Sequence, residues 1–266
     1  MLAIAFLYSS VGHGGASGYL AAMALAGVAP AVMRPVALLL NILVAGLAAL
    51  QFARAGWFSW RLFWPFAITS VPFAALGGAL VVPDHVYKRV VGAVLLFAGY
   101  RLFRSAARAP QEAGPAAGSI LADVRARRNG SGRPDAHGRP AEKTERPPGR
   151  LLAGASGAGL GFLAGVTGVG GGIFLSPLLL EFGWAGPRRT AAVSAAFILI
   201  NSVAGLSAHL ATIGTMPRGV GFWAGAALIG GAAGATLGSR RLAGATIRRL
   251  LALVLLLAGV KFLLLV

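Results

Sequence analysis

The chain has 266 residues, 57% of them hydrophobic and only 12% charged, with a mean hydropathy of +0.76. A soluble domain averages roughly 45–50% apolar and 25% charged residues, so a water-soluble globular domain is excluded as the main body of the protein. There is no cysteine, which removes disulfides, thiolate metal sites and cysteine nucleophiles.

The formal net charge of +17 suggests nucleic acid at first sight. However, eleven of the 24 Lys and Arg lie between Arg101 and Arg150, and most of the rest flank apolar runs. Basic residues so placed anchor the cytoplasmic ends of membrane helices. The partners expected are therefore a lipid bilayer and a small molecule, with no nucleic acid. The composition predicts a multi-pass, all-α polytopic protein of the cell membrane.

In chain order, Met1 to Pro30 is apolar but interrupted by Gly12, His13, Gly14, Gly15, Ala16, Ser17 and Gly18. Each arm is only about ten residues, where a full span needs roughly 20. With no basic leader before Gly12, this reads as a first membrane segment and not a signal peptide. Three apolar runs follow: Val36 to Ala53, Leu62 to Val82 and Val90 to Phe103. Trp57, Trp60 and Trp64 beside the second boundary suit a headgroup-level aromatic belt.

Residues 105–150 are rich in Arg, Ala, Gly and Pro, with no apolar period. They are expected to form a disordered cytoplasmic linker between a first membrane repeat, 1–104, and a second, 151–266. The repeat is visible in the residues themselves. Arg89 to Arg101 aligns without gaps on Arg249 to Lys261, including Ala98-Gly99 on Ala258-Gly259. Val44-Ala45-Gly46-Leu47 recurs as Val203-Ala204-Gly205-Leu206. The second half also has its own break, Thr167-Gly168-Val169-Gly170-Gly171-Gly172, in an otherwise helical apolar stretch. Glycine costs about 1 kcal/mol relative to alanine inside a helix. Broken backbone at membrane depth must also be buried in protein or line a cavity.

Two arrangements of the halves are open. If both broken segments span, there are eight spans in parallel halves, with nine basic residues outside and fifteen inside. If each break is a re-entrant hairpin, each half has three full spans and the halves are inverted. Then only Arg34, Lys88, Arg89, Arg218 and Lys261 lie outside. The second obeys the positive-inside rule better. We therefore expect two homologous inverted halves, each with three spans and a Gly-broken re-entrant or discontinuous helix.

Acids are nearly absent from the spans, with Glu181 the one in a buried-looking stretch. A substrate at mid-membrane would meet glycine N–H groups, helix N-termini, amides and imidazoles, an inventory that favours a small oxyanion. The candidate binding residues are Gly12, His13, Gly14, Gly15, Ser17, Asn41, Gly168, Gly170, Gly171, Gly172, Ser194 and Asn201. Asn41 and Asn201 stand at comparable points of the two halves. His13 and His209 are candidates for proton coupling, since histidine titrates near neutrality. No metal site, cofactor or catalytic residue is expected, and a homo-oligomer is a possible assembly. Gly15-Ala16-Ser17-Gly18 does fit the short Gly-Xaa-Ser-Gly signature of rhomboid intramembrane proteases, with Ser17 as nucleophile. The second half carries Ile173-Phe174 near the place of Ser17, so the duplication does not preserve it. A passive anion channel is the other alternative.

The sequence resembles the TauE/SafE, or sulfite-exporter, family of membrane transporters. The resemblance rests on Gly165 to Leu179, on Thr190-Ala191-Ala192-Val193-Ser194, and on Asn201-Ser202. His209, Gly214 and the Gly234 to Gly238 segment continue it. It is strong in the second half and degenerate in the first, where Gly12-His13-Gly14-Gly15 replaces the fuller glycine motif. The resemblance implies export or uptake of small sulfur-containing or organic anions such as sulfite, thiosulfate or sulfonates. It also implies pathway roles for Gly168, Gly170, Gly171, Gly172, Ser194 and Asn201.

Overall fold

A computed structural model describes residues 2, 5–6, 16–54, 56–108, 148–213, 220–238 and 244–264 of the chain. Among the described residues there are nine helices and no strand: α1 (Ala16–Leu25), α2 (Pro30–Arg54), α3 (Trp60–Ala79), α4 (Asp84–Arg108), α5 (Arg150–Thr167), α6 (Gly172–Glu181), α7 (Pro187–Ile213), α8 (Val220–Gly238) and α9 (Gly244–Leu264). Helix is expected for such apolar chain, because each backbone polar group then finds its partner within the segment. Three stretches are long and apolar enough to cross a membrane by length and composition: all of α2, all of α3, and Arg189–Thr212 within α7. The 25 residues of α2 rise about 37 Å, against a hydrocarbon core of about 30 Å. By contrast α1 and α6 have ten residues each, about 15 Å, half a crossing.

The exposed surface is apolar, as lipid contact requires. Along α3, Trp60, Trp64, Ile68 and Leu76 are all exposed. The other side of the same helix buries Leu62, Phe63, Phe66, Ala67, Ser70, Ala74, Gly77 and Gly78. Where solvent and core are equally oily, area burial cannot drive helices together; close backbone packing and hydrogen bonds do. The seam between α3 and α5 is built that way. Gly157, Gly161 and Gly165 recur every fourth residue on one face of α5. A Cβ at these positions would lie 2.5, 2.2 and 2.1 Å from the backbone oxygens of Phe66, Ser70 and Ala74 respectively. Both series ascend together, so α3 and α5 run parallel. Thr69 adds a hydrogen bond from Oγ1 to the Gly154 carbonyl at 2.8 Å. The seam extends to α7, where Gly205 meets Gly165 and where a Cβ on Gly78 would strike the Gly205 carbonyl.

The helices α4 and α9 carry the aligned stretch noted above, and they pack against one another. Gly99 faces Leu256 and the Ala252 carbonyl, while Gly259 faces Leu96 and the Gly92 carbonyl. With Gly99 aligned on Gly259, these contacts are reciprocal, the pattern of an isologous interface. Positions that rise along α4 fall along α9, so the two run antiparallel. The same holds for α2 and α7: Leu38 packs on Gly205, and Gly46 on Leu199. The ten-residue helices α6 and α1 are each tied at the C-terminal end, by α4 and α9 respectively. Arg101 of α4 pairs with Glu181 at the end of α6. Lys261 of α9, its aligned counterpart, donates to the Ala24 and Leu25 carbonyls at the end of α1, at 2.9 and 3.0 Å.

Three sequence expectations shift. Helix α4 runs to Arg108, four residues beyond the expected end of the first repeat at 104, because Arg and Ala there are good helix formers. Glu181 is exposed, not buried, and ends a half-helix in an ion pair. Arg34, counted above as an outer anchor, is only 5% exposed. Its guanidinium donates to the carbonyls of Gly77 at 2.5 Å, of Gly78, and of Leu80 at 2.9 Å. These are carbonyls left over at the C-terminus of α3, where a cation is favoured.

Candidate functional site

The glycine break between α5 and α6 is fully described. Helix α5 stops at Thr167 because Gly168 turns left-handed, with φ +80, while its N–H still reaches the Ala164 carbonyl. Gly170 and Gly171 are also left-handed, each with φ +78, a region L-residues avoid. Gly171 is the N-cap of α6. Thr167 Oγ1 accepts from the Val169 N–H at 3.2 Å, fixing the turn.

The two sides of the break differ in how their backbone is satisfied. Two elements of the first half serve its α5 side. The amide Nδ2 of Asn41, on α2, donates to the Gly168 carbonyl at 2.9 Å. The hydroxyl of Tyr87, on α4, donates to the Thr167 carbonyl at 3.2 Å. The α6 side is not served. The N–H groups of Gly170, Gly171, Gly172 and Ile173 have no backbone acceptor among the described residues, and the three glycines are buried. Buried N–H groups are nearly always paired in folded proteins. Here four donors point out of a helix N-terminus that carries about half a positive charge.

Unpaired side-chain groups gather at the same place. A Cβ on Gly170 would lie 2.7 Å from Ile198, 3.1 Å from Ser202 Oγ and 3.2 Å from Asn41 Nδ2. Ser202 Oγ has no hydrogen-bond partner, nor has Asn41 Oδ1. Asn201, the residue before Ser202, is 0% exposed with neither side-chain atom paired. Leaving a buried polar group unmatched costs about 1–3 kcal/mol. The cluster is chemically suited to a ligand rich in hydrogen-bond acceptors. Of the acids, Asp84 and Glu181 fall among the described residues and both are exposed, so no described carboxylate opposes a negative ligand here.

The structure thus brings Gly168, Gly170, Gly171, Gly172 and Asn41 together with Ser202, the residue that follows Asn201 on α7. Gly171 and Gly172 also pack tightly, against Phe197 and Ile198. Ser194, two turns before Asn201 on α7, borders the break: its carbonyl lies 3.3 Å from where a Cβ on Gly172 would stand, and its hydroxyl shares a 2.9 Å hydrogen bond with Ser176. His209 is two turns beyond Ser202, buried, with Nδ1 unpaired. Ser17 is buried near the start of α1. Gly12, His13, Gly14 and Gly15 lie outside the described residues. Sequence reasoning missed Ser202, Tyr87 and the inward course of Arg34. One signal was present for two of them: Arg34 precedes Asn41 by seven residues and Ser202 precedes His209 by seven, each a shared helix face.

Apolar helices of spanning length, half-helices, and a buried, unsatisfied donor cluster at a helix break together define a membrane transport protein. The family model described as "Sulfite exporter TauE/SafE" matches residues 1–262. The chain is also 35% identical over 260 residues to the "Probable membrane transporter protein y4hK" of Sinorhizobium fredii (strain NBRC 101917 / NGR234), covering 98% of this chain and 94% of that protein. The chain belongs to the TauE/SafE family. No solved structure matches it significantly.

Proposed function

We propose that this protein is a multi-pass carrier of the plasma membrane that moves a small oxyanion, sulfur-containing or organic, such as sulfite, thiosulfate or a sulfonate. The observation that carries this reading is the set of N–H groups from Gly170 to Ile173, three of them on buried glycines, with no backbone acceptor among the described residues, beside the unpaired Ser202. In this reading those N–H groups and the α6 dipole hold the anion. Asn41 fixes the break through Gly168, and Asn201 and Ser202 orient the ligand. The matching break, with Gly12, His13, Gly14, Gly15 and Ser17, supplies the other wall. Ser194 supports the α6 side through Ser176. His13 or His209 carries the coupling proton.

The halves are proposed to be inverted, with residues 105–150 as the cytoplasmic linker. The reciprocal, antiparallel packing of α4 and α9 supports this, since parallel halves would put the two in the same direction across the membrane. The equivalent ties of Arg101 and Lys261 support it as well. Rocking of one half on the other, about a site at the repeat interface, gives alternating access. Carrier behaviour separates this reading from a passive channel: preloading the far side with substrate should accelerate uptake.

The test is flux in proteoliposomes with sulfite, thiosulfate and a sulfonate panel. Gly170→Val sets a branched side chain at φ +78 and into the donor cluster, so anion flux should fall at least about tenfold. Wild-type flux in that variant would remove the site. Loss of a proteolytic activity in Ser17→Ala would point to the hydrolase alternative.

A further inference from the structure

The Nε of Arg34 and the Nδ1 of His209 are both unpaired, and both residues are at least nine-tenths buried; the Arg34 backbone lies against Gly168, its carbonyl 3.1 Å from where a Cβ there would stand. Arg34 is seven residues before Asn41 on α2, and His209 seven after Ser202 on α7, each about 10.5 Å along its helix. Because α2 and α7 run antiparallel, the two displacements go the same way. Asn41 is set opposite Ser202 at the break, and Arg34 comes to the level of His209, within electrostatic range of it. The two pairs therefore lie two turns apart along the seam of α2 and α7, with Leu38 packed on Gly205 at the level between them.

Arg34 is a buried positive charge without a matching negative one. Arg34 has no carboxylate partner among the described residues, where the ion pair found is Arg101–Glu181. The C-terminus of α3 offers Arg34 about half a negative charge, and its carbonyls use Nη1 and Nη2, leaving Nε over. A buried charge is costly unless it is paired. Tyr87, the other titratable group that Arg34 influences, already spends its hydroxyl on Thr167. The remaining half charge is open to a mobile anion.

We propose that Arg34 and His209 form a second anion station, about two helical turns from Asn41 and Ser202 along α2 and α7, toward the membrane face where α3 ends. The proposal rests on the oxyanion reading of the break. In the inverted arrangement α3 ends at the outer face, so this station exchanges anions with the outside before they reach Gly170–Ile173.

The experiment measures sulfite transport in right-side-out and inside-out vesicles. Arg34→Gln keeps an amide donor for the α3 carbonyls but removes the charge. It should raise KM for sulfite offered from the outer face by about tenfold or more and leave the inner-face KM within about twofold. Arg34→Lys, which keeps the charge, should bring the outer-face KM back to within about threefold of wild type. A folded Arg34→Gln protein with unchanged KM from both faces, or with equal losses from both, would reduce Arg34 to a helix cap and overturn the station. If Arg34→Gln does not fold, His209→Gln decides: a rise confined to the outer face supports the station, and unchanged values from both faces overturn it. Gly170→Val separates the two ideas. Wild-type flux there with an intact Arg34 effect would sink the break site and leave the station standing.

Discussion

Asn201 is where the proposed site carries its clearest cost in stability, being buried with both side-chain atoms unpaired. A fully buried carboxamide with both atoms unpaired costs about 1–3 kcal/mol, and a leucine of similar shape would relieve that cost. Asn201→Leu is therefore expected to stabilise the protein by roughly that amount while anion flux drops at least about tenfold. Thermal denaturation and flux on the same preparation check it; a destabilised variant with normal flux would contradict it. Asn41 differs, because its Nδ2 holds the Gly168 carbonyl. Asn41→Leu should lose stability as well as flux, leaving that carbonyl orphaned. Both asparagines were legible in the sequence, since an amide inside an apolar run stands out. Arg34 was not. A cation at the start of an apolar run looks the same whether it snorkels to the surface or turns inward, and its direction is decided by where α3 ends, forty-odd residues away.

Among the elements, the break and the glycine seam use the same residue for opposite purposes. At Gly168, Gly170 and Gly171 glycine is required by positive φ. At Gly157, Gly161 and Gly165 it is required by the distance to α3. A pair of neighbouring substitutions tests the seam. Gly161→Ala puts a Cβ 2.2 Å from the Ser70 carbonyl and should destabilise by about 1–3 kcal/mol. Gly159→Ala meets nothing within 4 Å and should stabilise by about 0.5–1 kcal/mol through helix propensity. Equal melting temperatures for the two would contradict the packing described. The existence of a second-half break was readable from four glycines in five positions. Which side of it is left unsatisfied was not, because that depends on Asn41 and Tyr87 arriving from other helices.

For the whole molecule, the claim is one of inversion. Sequence alignment could pair α4 with α9, but alignment is blind to direction; the antiparallel register comes from which glycine faces which leucine. Single cysteines placed near Arg189 and Arg241 should both be shielded from a membrane-impermeant reagent added outside intact cells. The protein has no cysteine of its own to interfere. Labelling at both positions from outside would contradict the inverted arrangement. The central claim, that an oxyanion rests on the N-terminus of α6, is tested most directly by locating one. Crystals grown with selenite, a heavier analogue of sulfite, should show an anomalous selenium peak within hydrogen-bonding distance of the Gly170–Ile173 N–H groups, and that peak should vanish in Gly170→Val. Selenite bound only elsewhere, with the glycine break empty at saturating concentration, would contradict the account.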